Sequence, residues 1–122
     1  APCALGGVLS AENIPLLGAK IVAGAANNQL ATREMGAELM KRNIAYAPDY
    51  VINAGGIINI MGEIDTRFDK SWVEGKLQGL KSTLGEILDT ADSEGRPATL
   101  IADEIARQRI EDARAGKLQA AE

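Results

Sequence analysis

Ala47-Pro48-Asp49-Tyr50-Val51-Ile52-Asn53-Ala54-Gly55-Gly56-Ile57-Ile58-Asn59-Ile60 places a proline-punctuated strand end directly before a small, glycine-rich helix start. Pro48 has no N–H to donate to a β ladder, so the apolar run ahead of it stops there. Gly55 and Gly56 carry no side chain, and a ligand can approach the backbone closely at such a helix start. Two further segments share this character: Ala1-Pro2-Cys3-Ala4-Leu5-Gly6-Gly7 and Ala23-Gly24-Ala25-Ala26-Asn27-Asn28-Gln29-Leu30. Each of the three small-residue turns adjoins an apolar run. They are expected to line one ligand crevice at the ends of neighbouring strands.

Working outward, the first sixty residues read as α/β and the remainder as α. Ala1 to Gly7 reads as the end of a strand, and Ser10 as the cap of a short helical turn running to Leu17. Lys20 to Ala25 is a buried strand that ends at the asparagines. Thr32 to Asn43 has helical spacing, with Met35, Leu39 and Met40 on one face. Ile44 to Ala47 is the next strand. Short strands alternating with helices imply parallel pairing. Beyond Ala54 the spacing predicts a helix to Ile64, then a long helix capped by Asp69 and reaching about Ser93. The stripe of that long helix is Val73, Leu77, Leu80, Leu84, Ile87, Leu88 and Ala91. Gly75 and Gly79 fall on its other side, near Phe68 and Trp72, where they permit either a close helix contact or plain exposure. Pro97 suits the first turn of a last helix, with Ile101, Ala102, Ile105 and Ala106 inward and Gly116 as its stop. The tail Lys117 to Glu122 is expected to fray. The sequence holds no internal repeat and no low-complexity linker.

Composition narrows the function classes. With 46% hydrophobic but only 3% aromatic residues, the core must rest on Ala, Ile, Leu and Val. A formal net charge of −4 argues against nucleic acid, which calls for a basic face. A single cysteine, Cys3, precludes an intramolecular disulfide and suits a reducing cytoplasm. No apolar run has the length of a membrane span. The absence of histidine removes Ser-His-Asp catalysis and histidine-ligated metal from this chain, and leaves Cys3 without a base to activate its thiol.

Together the three turns resemble the family of amino-acid dehydrogenases acting on leucine, valine, phenylalanine and glutamate, with the leucine and branched-chain members nearest. The likeness runs from Ala1 to about Ala115, with the motifs in the family's order and approximate spacing. No G-x-G-x-x-G is present, and the family's upstream catalytic lysine and aspartate are absent too. The resemblance therefore implies the second half of a Rossmann-like, NAD-binding α/β domain over residues 1–64. C-terminal helices over 65–122 would pack on it as a hairpin. It implies a parent enzyme that oxidatively deaminates branched-chain L-amino acids to 2-oxo acids, of which this chain alone is inactive. Since the sequence opens at Ala1 rather than methionine, a processed, clipped or partial chain is expected. Its partners would be the missing N-terminal half or further copies in a homo-oligomer. A different reading is a truncated, non-catalytic binding or assembly module that self-associates through an exposed sheet edge.

The resemblance also assigns site residues. Ile57 and Ile60, at i and i+3 on one helix face, would flank the substrate side chain. Ile60 stands where glutamate-selective members carry a polar residue. It cannot pair a second carboxylate, so an aliphatic substrate follows. The plainer alternative is that both are core residues. Asn27 and Asn28 offer amide donors and acceptors beside the nicotinamide and the substrate, Asn28 being the preferred contact, and one of them can equally cap a helix. Cys3 and Ala4 would run along the cofactor ribose. Asn53 could bond the nicotinamide amide or cap a helix. No catalytic residue and no metal ligand is assigned. Asp49 alone among the carboxylates is near the expected crevice.

Overall fold

The computed structural model of the chain describes residues 1–65 and 69–116. Its architecture is α/β, mostly helical, around a two-stranded parallel sheet. Strand β1 (Ile21–Val22) lies beside β2 (Ala45–Tyr46), with Ile21 opposite Ala45 and Val22 opposite Tyr46. Helix α1 (Met35–Lys41) makes the crossover between them, shorter than the expected Thr32 to Asn43 because its first turn is irregular. Both strands fall within their expected segments.

The segment Ala1–Gly7 is a correction. It is not a strand, although it runs beside the 24–31 stretch. Ala26 N donates to Pro2 O at 3.0 Å, Gly7 N donates to Asn28 O at 2.7 Å, and Leu9 forms an isolated parallel bridge with Leu30. Pro2 has no N–H and Gly7 adopts a positive φ of 69°, so no continuous ladder can form. Ser10 acts as foreseen, its Oγ accepting from Asn13 N ahead of a short 3-10 turn, Ile14–Leu16.

Two cores hold the chain. Leu9, Ile14, Val22, Leu39, Ile44 and Tyr46 pack under the sheet, with Met35 against them. Ile87, Ile101 and Ala102 join the helical part, with Val51 and Ala91 at their edge. Each large aliphatic side chain buried this way contributes about 1.5–3 kcal/mol.

After β2 the chain enters a short helix, α2 (Asp49–Ile52), which Pro48 starts and which the sequence reading missed. Helix α3 (Ala54–Asp65) follows almost without a break. Helix α4 (Lys70–Glu94) is capped by the Asp69 carboxylate, which accepts from Ser71 N and Trp72 N. It ends at Gly95 with φ 62°, and Pro97 then leads into α5 (Ala98–Arg114). The stripe of α4 faces inward at Val73 and Ile87, but Leu77 is substantially exposed. On α5, Ile101 and Ala102 are buried, whereas Ala106 is exposed.

The close contact between helices is not at Gly75 or Gly79, which face open space. It is at Gly62 of α3, where an added Cβ would sit 2.4 Å from Val73 Cγ2. Phe68 and the tail Lys117 to Glu122 lie outside the described residues. No helix among those residues is long and apolar enough to cross a membrane.

Candidate functional site

The three small-residue turns meet, as their sequences led one to expect. The first two are joined through the backbone bonds of Pro2 and Gly7 already given. Gly24 makes that approach possible: a Cβ there would lie 2.0 Å from Pro2 O. Turn two is joined to turn three by two struts. At one, Asn28 N donates to Asp49 Oδ2 at 2.8 Å. At the other, Asn53 Nδ2 donates to Asn27 Oδ1 at 2.8 Å and to Ala26 O at 3.2 Å.

Asn28 is therefore clamped on both faces of its backbone. Its N–H goes to turn three and its C=O accepts from Gly7 of turn one, while φ is held at 52°. Asparagine tolerates this left-handed conformation better than most residues. Its exposed side chain makes no hydrogen bond among the described residues, so it is free for a ligand. Asn27 and Asn53 each retain half an amide. With Asn53 Nδ2 engaged on Asn27 Oδ1, the groups left over are a donor, Asn27 Nδ2, and an acceptor, Asn53 Oδ1.

Of three residues that build the site, Gln29 and Tyr46 escaped the sequence reading, which placed Asp49 near the crevice but gave it no role. Gln29 is fully buried, and its Nε2 donates to Gly24 O at 2.7 Å and Ala26 O at 2.8 Å, fixing the loop that presents Asn27. Asp49 is only 7% exposed and no ion pair among the described residues joins it. Tyr46 donates its hydroxyl to Asp49 Oδ1 at 2.8 Å. Burial, and then that bond, raise the Tyr46 pKa well above the usual tyrosine value. The spacing of Tyr46 and Asp49 across Pro48 was the available signal, but the partner at Asn28 is remote in sequence.

Cys3 and Ala4 are exposed at the mouth of turn one, with the Cys3 thiol free. Ile57 and Ile60 are 59% and 50% exposed on α3, so they are not core residues of this chain. They continue into Met61 and Ile64 as an apolar stripe at i, i+3, i+4 and i+7. Asn28 and Asp49 also line a cavity of about 330 Å³ whose far wall is Arg33, Tyr50, Thr99 and Asp103. There Arg33 is paired with Asp103, and the Tyr50 hydroxyl lies 2.9 Å from the same carboxylate. Burial raises the Tyr50 pKa. A larger cavity of about 500 Å³, walled by Met40, Ile44, Leu88 and Ala98, contains none of the expected site residues. No group of three or more Cys, Asp or Glu side chains among the described residues is placed to hold a metal ion.

Residues 1–117 match the family model of glutamate/leucine/phenylalanine/valine dehydrogenases. The chain is 46% identical to a valine dehydrogenase of Streptomyces virginiae over 93% of its own length and 32% of that protein's. It is 41% identical to a leucine dehydrogenase of Bacillus subtilis over 98% of its length and 32% of the relative's. The crystal structure of an L-tryptophan dehydrogenase from Nostoc punctiforme superposes with a TM-score of 0.84 at 40% identity, covering 93% of this chain and 34% of that one. The chain thus spans about a third of the length of these relatives, and it belongs to this amino-acid dehydrogenase family.

Proposed function

We propose that this chain forms the nicotinamide-side part of an NAD-dependent dehydrogenase that oxidatively deaminates branched-chain L-amino acids to 2-oxo acids. The observation that carries the reading is the unengaged amide pair. A primary carboxamide presents one acceptor and one donor, and Asn27 Nδ2 with Asn53 Oδ1 presents the complement. Both amides are oriented before any ligand arrives, so little ordering remains to be done on binding. Beside the cradle of turns one and two, where Gly24 admits the backbone of Pro2, Cys3 and Ala4 would run along the ribose.

When bound, the dinucleotide supplies the hydride acceptor for the amino-acid Cα. This chain's residues bind and orient. Asn28, clamped through its backbone, offers its side-chain amide to the polar end of the substrate. Ile57 and Ile60 offer an apolar wall to the substrate side chain, on which a second carboxylate would lie without a partner. Asp49, the carboxylate beside the crevice, is engaged by Asn28 N–H and Tyr46 O–H, so we assign acid–base chemistry to residues outside this chain. By itself the chain is inactive.

The test is a chimera in which this chain replaces the matching third of the Bacillus subtilis leucine dehydrogenase. Reduction of NAD is followed with L-leucine, L-valine, L-isoleucine, L-glutamate and L-tryptophan. Turnover with the three aliphatic substrates, and little with the other two, is the expected outcome. A folded chimera that favours tryptophan or glutamate overturns the substrate reading, and one that does not bind NAD overturns the reading of the amide pair.

A further inference from the structure

We propose that the buried carboxylate of Asp49 makes the crevice favour a positively charged occupant, so that this site holds the oxidised, cationic nicotinamide ring in preference to the neutral reduced one. The inference rests on the dinucleotide reading above and adds to it a charge that the chain itself provides.

Three observations lead there. First, Asp49 is almost fully removed from water, its two oxygens are each met by one neutral donor, Asn28 N–H and Tyr46 O–H, and no cation among the described residues pairs with it. A buried charge in this state keeps most of its field, since neither solvent nor a counter-ion screens it. Second, the cation that shares its cavity, Arg33, is engaged by Asp103. Third, the carboxylate borders the crevice: it accepts from the backbone N–H of Asn28, and the two residues line one cavity.

A structural role alone does not require the charge. An asparagine at 49 could accept from Asn28 N–H through Oδ1 and donate to the Tyr46 hydroxyl through Nδ2, so both bonds survive neutralisation. Holding a carboxylate buried without a cation is costly, and a neutral amide would avoid that cost. What the amide cannot supply is a negative potential at the neighbouring site.

The substitution Asp49→Asn therefore separates charge from geometry. The isotope-labelled chain is titrated with NAD in its oxidised and reduced forms, and the two dissociation constants are read from amide shifts at Cys3, Asn27 and Asn28. Neutralisation should weaken the oxidised form relative to the reduced one by on the order of tenfold. Tyr46→Phe, which loosens the same network but keeps the charge, should change both constants by one common factor. If Asp49→Asn does not fold, Asp49→Ser gives a second neutral variant with an acceptor at the start of α2. An unchanged ratio in a folded neutral variant overturns the inference and leaves the dinucleotide reading intact. A wild-type chain that binds neither form overturns both.

Discussion

Replacing Asn53 by Asp exchanges one amide nitrogen for oxygen at the point where two turns of the crevice meet. In the native chain that nitrogen donates to Asn27 Oδ1 at 2.8 Å and to Ala26 O at 3.2 Å. A carboxylate can donate neither bond. Asn27 recovers one of them by turning its own amide so that Nδ2 faces residue 53. The Ala26 carbonyl keeps its bond from Gln29 Nε2. What is lost is one partly buried hydrogen bond, together with the repulsion of two facing oxygens, about 1–2 kcal/mol. For a chain of this length that corresponds to a fall in Tm of roughly 4–10 °C.

The effect on binding should be larger than the effect on folding. Once Asn27 has turned, its donor points at residue 53 and only acceptors face the crevice. A carboxamide oxygen then meets no donor, and nicotinamide mononucleotide should bind at least about tenfold more weakly, a change of about 1.4 kcal/mol. Thermal unfolding followed by circular dichroism gives the first quantity, and an amide-resolved NMR titration gives the second. Binding within twofold of wild type would refute the reasoning. So would a Tm fall of more than about 20 °C, which would place Asn53 in the fold rather than at the site.

Two further predictions concern packing and ionisation. Gly75→Ala should stabilise the chain by about 0.5–1 kcal/mol, because the helix gains propensity and the methyl meets open space. Gly62→Ala should instead be neutral or destabilising by up to about 2 kcal/mol, since overpacking against Val73 offsets the same gain. Denaturant midpoints decide between them, and the reverse order would refute the assigned α3–α4 contact. For Tyr46, burial raises the folded pKa above the unfolded value of about 10, so its contribution is intact below that pH. As pH rises further, the unfolded chain releases a proton that the folded chain retains, and stability falls. Tyr46→Phe should shrink the stability difference between about pH 8 and about pH 11 measured by urea unfolding. An unchanged difference would contradict the buried Tyr46–Asp49 bond.

What could be read from sequence was what is encoded locally. Pro48 ends β2, Asp69 caps α4, and Gly95 with Pro97 turns the chain into α5, each through a neighbour within a few residues. The meeting of the three turns was legible because small residues recur at the end of each apolar run. Contacts that depend on distant backbone were not. Ala1–Gly7 has the composition of a strand end, yet whether it forms a ladder depends on which atoms of residues 24–31 face it. Asp49 stood out in sequence by its place near the crevice, but its partner, Asn28 N–H, is twenty-one residues away and could not be read. Gly62 and Gly75 are equally glycine in sequence, and only the neighbouring Val73 tells them apart. The exposure of Ile57 and Ile60 was likewise invisible, since an apolar i, i+3 pair serves a core and a pocket wall alike.

The wiring divides the site into a part that resists change and a part that accepts it. Turns one and two share backbone bonds and an approach so close that Gly24 admits no Cβ. Asp49 and Asn53 then tie turn two to turn three, and Gln29 braces turn two from within. A substitution that breaks a bond between turns loosens two of them at once. The apolar wall on α3 carries no such ties: Ile57 and Ile60 point outward, and Asn53 at the head of the helix is the side chain that links it to turn two. Side chains on that wall can therefore vary in size and polarity without disturbing the amide pair. Under the proposed function, the group common to every turnover would be met by the wired turns, and substrate choice would fall to the free face of α3.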